Sequence, residues 1–196
     1  VLNRTYLNVA KYSIRIESCA EEVEQLFGVS GHDHRVDGIW GTSGIGKTTI
    51  AKAVYNAIAH KFEGSCFLAD VRETSTSHEG VIKLQSTLLS KVLRGTELKI
   101  DDVHHGISLI EKLLRRKKIL LILDDVDELE QLNNLVEVNW FGEGSRVIIT
   151  TKDRGLLECY GVELIYEFQK LEDDKALELL CLNAFGRKEP SDDYLS

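Results

Sequence analysis

The segment from Gly41 to Thr48 combines the residue types that bind phosphate groups in proteins. Its sequence, GTSGIGKT, fits the pattern G-x-x-x-x-G-K-[ST]. Glycines let the main chain curl so that successive N–H groups point inward and surround an anion. Lys47 can bring its charge to the β- and γ-phosphates of a nucleotide, and the Thr48 hydroxyl can coordinate Mg²⁺. The segment therefore predicts a loop that binds a nucleoside triphosphate.

Two adjacent carboxylates, Asp124 and Asp125, follow the aliphatic run from Ile119 to Leu123. A continuous aliphatic run is typical of a parallel strand that is covered on both faces. Such a strand delivers the residues at its carboxyl end to the edge of the sheet where ligands bind. We expect Asp124 to hold Mg²⁺, directly or through water, and Asp125 to orient or deprotonate the attacking water. The alternative for acids at this place is a helix N-cap, which Asp127 can also provide.

Two basic features have both a functional and an ordinary explanation. Lys152 follows the apolar run Arg146 to Thr151, so it is expected at the same edge of the sheet as Asp124. It can sense the γ-phosphate or be a solvated loop lysine, and the residues alone leave both open. Arg115 to Lys118 ends a predicted helix, where the helix dipole favours cations. We interpret that cluster as a solvated helix end rather than a nucleic-acid contact.

The predicted elements place these residues on a sheet of parallel strands. Strands are expected at Arg35 to Trp40, Ser65 to Val71, Ile119 to Leu123, Arg146 to Thr151 and Glu163 to Phe168. Apolar residues at helical spacing predict helices around Ile50 to Phe62, Val81 to Val92, Val103 to Leu114, Leu129 to Leu132, Leu156 to Leu157 and Asp173 to Phe185. Strands that alternate with helices predict an α/β fold whose sheet has helices on both faces.

Composition excludes several other classes of protein. The chain has 196 residues with 24 Lys and Arg against 32 Asp and Glu, so its net charge of −8 argues against direct binding of nucleic acid or of an anionic membrane. The four cysteines are far apart, which fits neither a zinc site nor a disulfide scaffold. The sequence contains no methionine, so we expect it to be part of a longer protein. A guanine-binding [NT]-K-x-D pattern is not met by Thr151 to Arg154, where the acid comes one position early, and adenine is favoured.

The ordered set of motifs resembles the NB-ARC nucleotide-binding domain of plant disease-resistance proteins, the NBS-LRR class. Asp127 stands where the coiled-coil subclass usually has Trp, which points to the Toll/interleukin-receptor-type (TIR) subclass. Five blocks carry the resemblance in order: Gly38 to Thr49, Cys66 to Glu73 (CFLADVRE), Ile119 to Asp127 (ILLILDDVD), Gly144 to Asp153 (GSRVIITTKD) and Leu171 to Phe185 (LEDDKALELLCLNAF).

This resemblance implies a P-loop ATPase of the STAND group, with a five-stranded sheet in the order 5-1-4-3-2. It implies a switch between ADP and ATP, with Mg²⁺ as cofactor, in a cytoplasmic immune receptor; a nuclear location stays open. Residues 1–170 would form the nucleotide-binding domain, with a linker and helix in 1–30, and residues 171–196 would begin the helical ARC1 subdomain. The implied partners are the nucleotide, the ARC2 and leucine-rich-repeat regions of the same full-length chain, and further copies of the protein on activation.

The resemblance also assigns individual residues. It places Ile14 and Ile16 in the adenine pocket, although the family pattern has Gly at position 15, where this chain has Arg15. It places Lys152 where an arginine usually senses the γ-phosphate, and lysine lacks the bidentate fork of arginine. Residues of the phosphate loop that it assigns to the nucleotide are Gly41, Thr42, Ser43, Gly44, Ile45, Gly46, Lys47, Thr48 and Thr49.

Two other functions remain open from the sequence. A P-loop kinase for a small molecule would need a second substrate site and an Arg-rich lid, and no Arg cluster follows Asp124 and Asp125. A scaffold domain that does not hydrolyse nucleotide is the other possibility, against which Lys47, Thr48 and Asp124 speak. Any hydrolysis is expected to be slow and to serve regulation.

Overall fold

Five parallel strands form the sheet of this protein. The computed structural model describes residues 6–9, 23, 25, 35–94 and 98–168. The strand order is β2-β3-β4-β1-β5, which is the predicted order 5-1-4-3-2 read in the opposite direction. The predicted α/β fold is confirmed. The strands are β1 (Arg35–Trp40), β2 (Gly64–Leu68), β3 (Ile119–Val126), β4 (Arg146–Thr151) and β5 (Leu164–Glu167).

Helices connect the strands as crossovers, and most lie where the apolar spacing predicts them. In the described ranges these are α1 (Lys47–Ile58), α2 (Val71–Thr74), α3 (His78–Val92), α4 (Val103–Leu114), α5 (Leu129–Leu135) and α6 (Arg154–Tyr160). Two 3₁₀ turns, Ala59–Lys61 and Val138–Trp140, follow α1 and α5. The described residues include no helix that is long and apolar enough to span a membrane.

The sheet is covered on both faces, as the continuous aliphatic run of β3 predicts. On one face α1 packs through Ile50, Val54 and Ile58 against Ile122 of β3 and Ile148 of β4. On the other face the same strands contact the apolar sides of α3, α4 and α6. β3 has its whole aliphatic run buried. The sheet is therefore a rigid base for the residues at its carboxyl edge.

Two local predictions are wrong. The second strand ends at Leu68 rather than at Val71, because Asp70 adopts a left-handed conformation with φ of 51° and Val71 begins α2. Asp127 does not cap α5, which begins after Glu128. The Gln131 side chain makes the local contacts instead: its Oε1 accepts from the N–H groups of Asp127 and Glu128, and its Nε2 donates to Asp127.

Some predictions fall on residues outside the described ranges. These are the adenine-pocket residues Ile14 and Ile16, the helix from Asp173 to Phe185, and the boundary between a nucleotide-binding domain and an ARC1 subdomain at residue 170. They stay predictions.

Candidate functional site

The loop between β1 and α1 has the backbone of an anion-binding nest. Gly44 and Gly46 both have positive φ, at 75° and 109°, which side chains of other residues rarely allow. The helical hydrogen bonds begin only with the N–H groups of Thr49 and Ile50, which both donate to the carbonyl of Gly46. Within the described part of the chain, the N–H groups of residues 44–48 have no acceptor. Their dipoles and the start of α1 together favour an anion here.

Lys47 lies at the base of this loop with its ammonium group held by main-chain oxygens. Its Nζ donates to the carbonyls of Gly41 and Thr42, both at 2.8 Å. Burial lowers the pKa of Lys47, whereas the carboxylates of Asp125 and Asp124 raise it. A buried ammonium group beside unpaired N–H groups can compensate the charge of a polyphosphate.

A hydroxyl–carboxylate cluster joins α1, β3 and β4 directly below the loop. Thr48 Oγ1 donates to Asp124 and lies 3.1 and 2.9 Å from its two carboxylate oxygens. On the other side Thr150 Oγ1 donates to Asp124 Oδ1 at 2.6 Å. Asp124 is 1% exposed, and burial raises its pKa while the two hydroxyl groups lower it. A carboxylate desolvated in this way favours a nearby cation.

Asp125 lies on a β-bulge that turns the two carboxylates in different directions. The register between β3 and β4 shifts after Leu123, and Asp125 itself has a positive φ of 59°. Its N–H donates to Thr150 Oγ1 at 2.9 Å, so one hydroxyl fixes both aspartates. The Asp125 side chain forms an ion pair with Arg72 at 2.9 Å. The structure thus brings the predicted acid pair to the phosphate loop, with Asp124 buried and Asp125 near the surface.

The predicted sensor, Lys152, also lies at this edge of the sheet. It is exposed, and its positive charge lowers the pKa of Lys47, so the two charges are near enough to repel each other. Thr42, Ser43 and Gly44 form the exposed top of the loop. The order of strands places β4 between the strand of the loop and the strand of the aspartates.

Comparison with known proteins assigns the family. A sequence profile described as the NB-ARC domain matches residues 17–190, which is most of the chain. The chain belongs to the NB-ARC domain family.

Curated relatives of this NB-ARC domain are plant disease-resistance proteins. The chain is 36% identical over 178 residues to probable disease resistance protein RPP1 of Arabidopsis thaliana, covering 88% of this chain and 15% of RPP1. It is 40% identical over 183 residues to disease resistance protein RUN1 of Vitis rotundifolia, covering 92% of this chain and 14% of RUN1. The chain therefore spans about one seventh of the length of these relatives.

A solved structure has the same fold. Cdc6p from Pyrobaculum aerophilum aligns with a TM-score of 0.64 at 14% identity, over 94% of this chain and 53% of that chain. With this likeness, the strand order and the glycine-rich loop, the NB-ARC domain has the fold of P-loop NTPases.

The oxygen donors of this NB-ARC domain fit Mg²⁺. The Thr48 hydroxyl and the Asp124 carboxylate are in contact, and Mg²⁺ bound with a nucleotide typically takes one or two protein oxygens and completes its shell with phosphate and water. No cluster of three His, Cys, Asp or Glu side chains that could hold a metal is found among the described residues. Two neighbouring protein oxygens suit a metal that is bound together with a phosphate ligand.

Three residues at the site were not found by sequence reasoning. Thr150 bridges the two aspartates, and Arg72 pairs with Asp125. Phe168 donates its N–H to the carbonyl of Trp40 and places its ring about 3.5 Å from the position that a Cβ on Gly46 would take. Thr150 could have been found, because it lies near the carboxyl end of an apolar strand, where ligands are expected to bind. Arg72 gives no comparable signal, since its contact depends on the turn at Asp70, and Phe168 gives none either.

Proposed function

We propose that this NB-ARC domain is the ADP/ATP-dependent switch of a plant intracellular immune receptor of the TIR subclass and that it hydrolyses Mg·ATP slowly. The observation that carries the proposal is the contact of Thr48 with Asp124 below a loop of unpaired N–H groups. The loop and Lys47 would bind the phosphates, with Thr48 and Asp124 on the metal. Mg²⁺, when bound, neutralises charge on the phosphate oxygens.

The hydrolytic step that we propose uses Asp125 as the general base. The oxygen of a water molecule bonds to the γ-phosphorus while the bond from that phosphorus to the β–γ bridging oxygen breaks. ADP leaves with that electron pair, and the proton of the water passes to the Asp125 carboxylate. Lys152 would contact the γ-phosphate and distinguish ATP from ADP. Its single charged head would do so less specifically than arginine.

The similarity to plant disease-resistance proteins supports a wider role, which we propose for the longer protein. In a full-length receptor, the bound nucleotide would control contacts with the ARC2 and leucine-rich-repeat regions and self-association on activation. ADP would stabilise the resting form, and exchange for ATP would permit signalling.

Replacement of Asp125 tests the proposed hydrolysis. Asp125→Asn keeps a side chain that tolerates positive φ but removes the base, so Mg·ATP affinity should be unchanged and turnover should fall at least about 100-fold. Calorimetry measures the affinity, and release of labelled phosphate measures turnover. Asp127→Asn is the matched control, because Asp127 bonds Gln131 instead. Loss of binding in Asp125→Asn, or phosphoryl transfer to an acceptor other than water, would contradict the proposal.

A further inference from the structure

The ion pair between Arg72 and Asp125 has a geometry that leaves one carboxylate oxygen unused. Arg72 donates from Nε to Asp125 Oδ2 at 2.9 Å, and its Nη2 lies 2.9 Å from the same oxygen. Within the described part of the chain, Oδ1 of Asp125 accepts no hydrogen bond. The guanidinium therefore fixes the orientation of the carboxylate and leaves Oδ1 able to accept from another group.

The backbone on both sides of this contact is constrained. Asp125 is held by its positive φ and by the hydrogen bond from its N–H to Thr150. Arg72 follows Asp70, whose positive φ turns the chain after β2, and Val71, whose side chain is fully buried. The two residues are 53 positions apart: Arg72 lies in α2, which follows β2, and Asp125 lies near the end of the adjacent strand β3. The backbone at the carboxyl ends of β2 and β3 therefore brings the two side chains together.

Stability does not account for this contact. The side chains of Arg72 and Asp125 are 45% and 33% exposed, and an ion pair at such a position contributes little to folding. Asp125 also has a positive φ, which few residues other than glycine, Asn and Asp adopt, so its side chain is held in one direction. A fixed and partly exposed ion pair beside the buried Asp124 is better explained by a role in the chemistry.

We propose that Arg72 is the positioning residue for Asp125: by binding Oδ2 it aims Oδ1 at the attacking water. The inference rests on the proposed hydrolysis of Mg·ATP, in which Oδ1 takes the proton of the water. Arg72 acts through Asp125 and is not assigned a contact with the nucleotide. A misdirected base loses much of its rate effect even when the substrate is bound normally.

Substitutions at Arg72 test this role in the 196-residue chain. Arg72→Gln should lower kcat about 10-fold or more while leaving KM and the calorimetric affinity for Mg·ATP unchanged. Arg72→Lys keeps a cation and should recover part of the loss. In an Asp125→Asn background, Arg72→Gln should cause no further loss. Arg35→Gln is the matched control, since Arg35 pairs with Glu163 at the amino ends of the strands, away from Asp125.

A spectroscopic measurement without nucleotide completes the test. The Nε–H proton of Arg72 should give a downfield NMR signal that moves upfield in Asp125→Asn. Equal kcat in wild type and Arg72→Gln, a higher kcat, an equal loss in the Asp125→Asn background, or an unmoved Nε–H signal would each overturn the role of Arg72. Failure of the wild-type chain to bind Mg·ATP would instead overturn the proposed function, and this inference with it.

Discussion

Thr150 joins the two aspartates whose roles differ. Its hydroxyl has one proton, which it donates to Asp124, and its lone pairs accept the N–H of Asp125. The position of the metal-ligand candidate and the backbone of the candidate base thus depend on one buried oxygen. A buried hydroxyl group that both donates and accepts a hydrogen bond restricts the conformation of its neighbours more than an exposed hydroxyl group does.

Replacement of Thr150 tests this coupling. Thr150→Val removes the donor to Asp124 and leaves the Asp125 N–H without its partner, so the free energy of unfolding should fall by about 1–3 kcal/mol. Urea denaturation measures the change. Thr150→Ser is the control that keeps the hydroxyl and should lose less. Equal stability of the valine and serine variants would show that the hydroxyl does not hold the aspartates.

Elements at the sheet edge show which features the sequence can predict. The buried strand β3, the helix α1 and the glycine loop follow from local patterns, because aliphatic runs and glycine spacing restrict a few adjacent residues. The end of β2 does not, since Val71 reads as one more apolar strand residue although Asp70 has already turned the chain. Contacts that depend on such turns, Arg72 on Asp125 among them, need the three-dimensional structure.

A short segment near the start of the described residues shows the same limit. Asn56 on α1 accepts the N–H of Leu7 with its Oδ1 at 3.0 Å and donates its Nδ2 to the Leu7 carbonyl at 2.9 Å. One side-chain amide therefore binds both main-chain polar groups of a residue 49 positions away. Asn56 lies within a predicted amphipathic helix, where the sequence pattern indicates only a polar position.

At the scale of the whole molecule, the sheet buries an acidic side chain, Asp37, away from the residues of the candidate site. Asp37 of β1 is fully buried, 4.0 Å from Arg146 of β4, and neither of its oxygens accepts a hydrogen bond within the described residues. Burial raises the pKa of Asp37 to about 7, against the opposing charges of Arg146 and Arg35, and Glu163 adds to the rise. The folded protein therefore binds this proton more tightly than the unfolded chain does.

The stability of the protein should depend on pH through Asp37. The pKa of Asp37 is higher in the folded protein than in the unfolded chain. The contribution of Asp37 to the free energy of unfolding is therefore fully present below its unfolded pKa of 3.8 and is lost as the pH rises to about 7. Asp37→Asn cannot titrate, so wild type should lose unfolding free energy relative to this variant between pH 5 and pH 8. Chemical denaturation of wild type and Asp37→Asn across this range measures the difference. A difference that stays constant, or that favours wild type as the pH rises, would contradict the assignment.

We expect the loop from Gly41 to Thr48 to bind the phosphates of a nucleotide, and calorimetric titration of Mg·ADP tests this role most directly. We predict one saturable site in the wild-type chain. Lys47→Ala should abolish it, because the ammonium group compensates the phosphate charge. Lys52→Ala on the same helix should leave it unchanged. Equal affinity of wild type and Lys47→Ala, or no binding by wild type, would contradict this role of the loop.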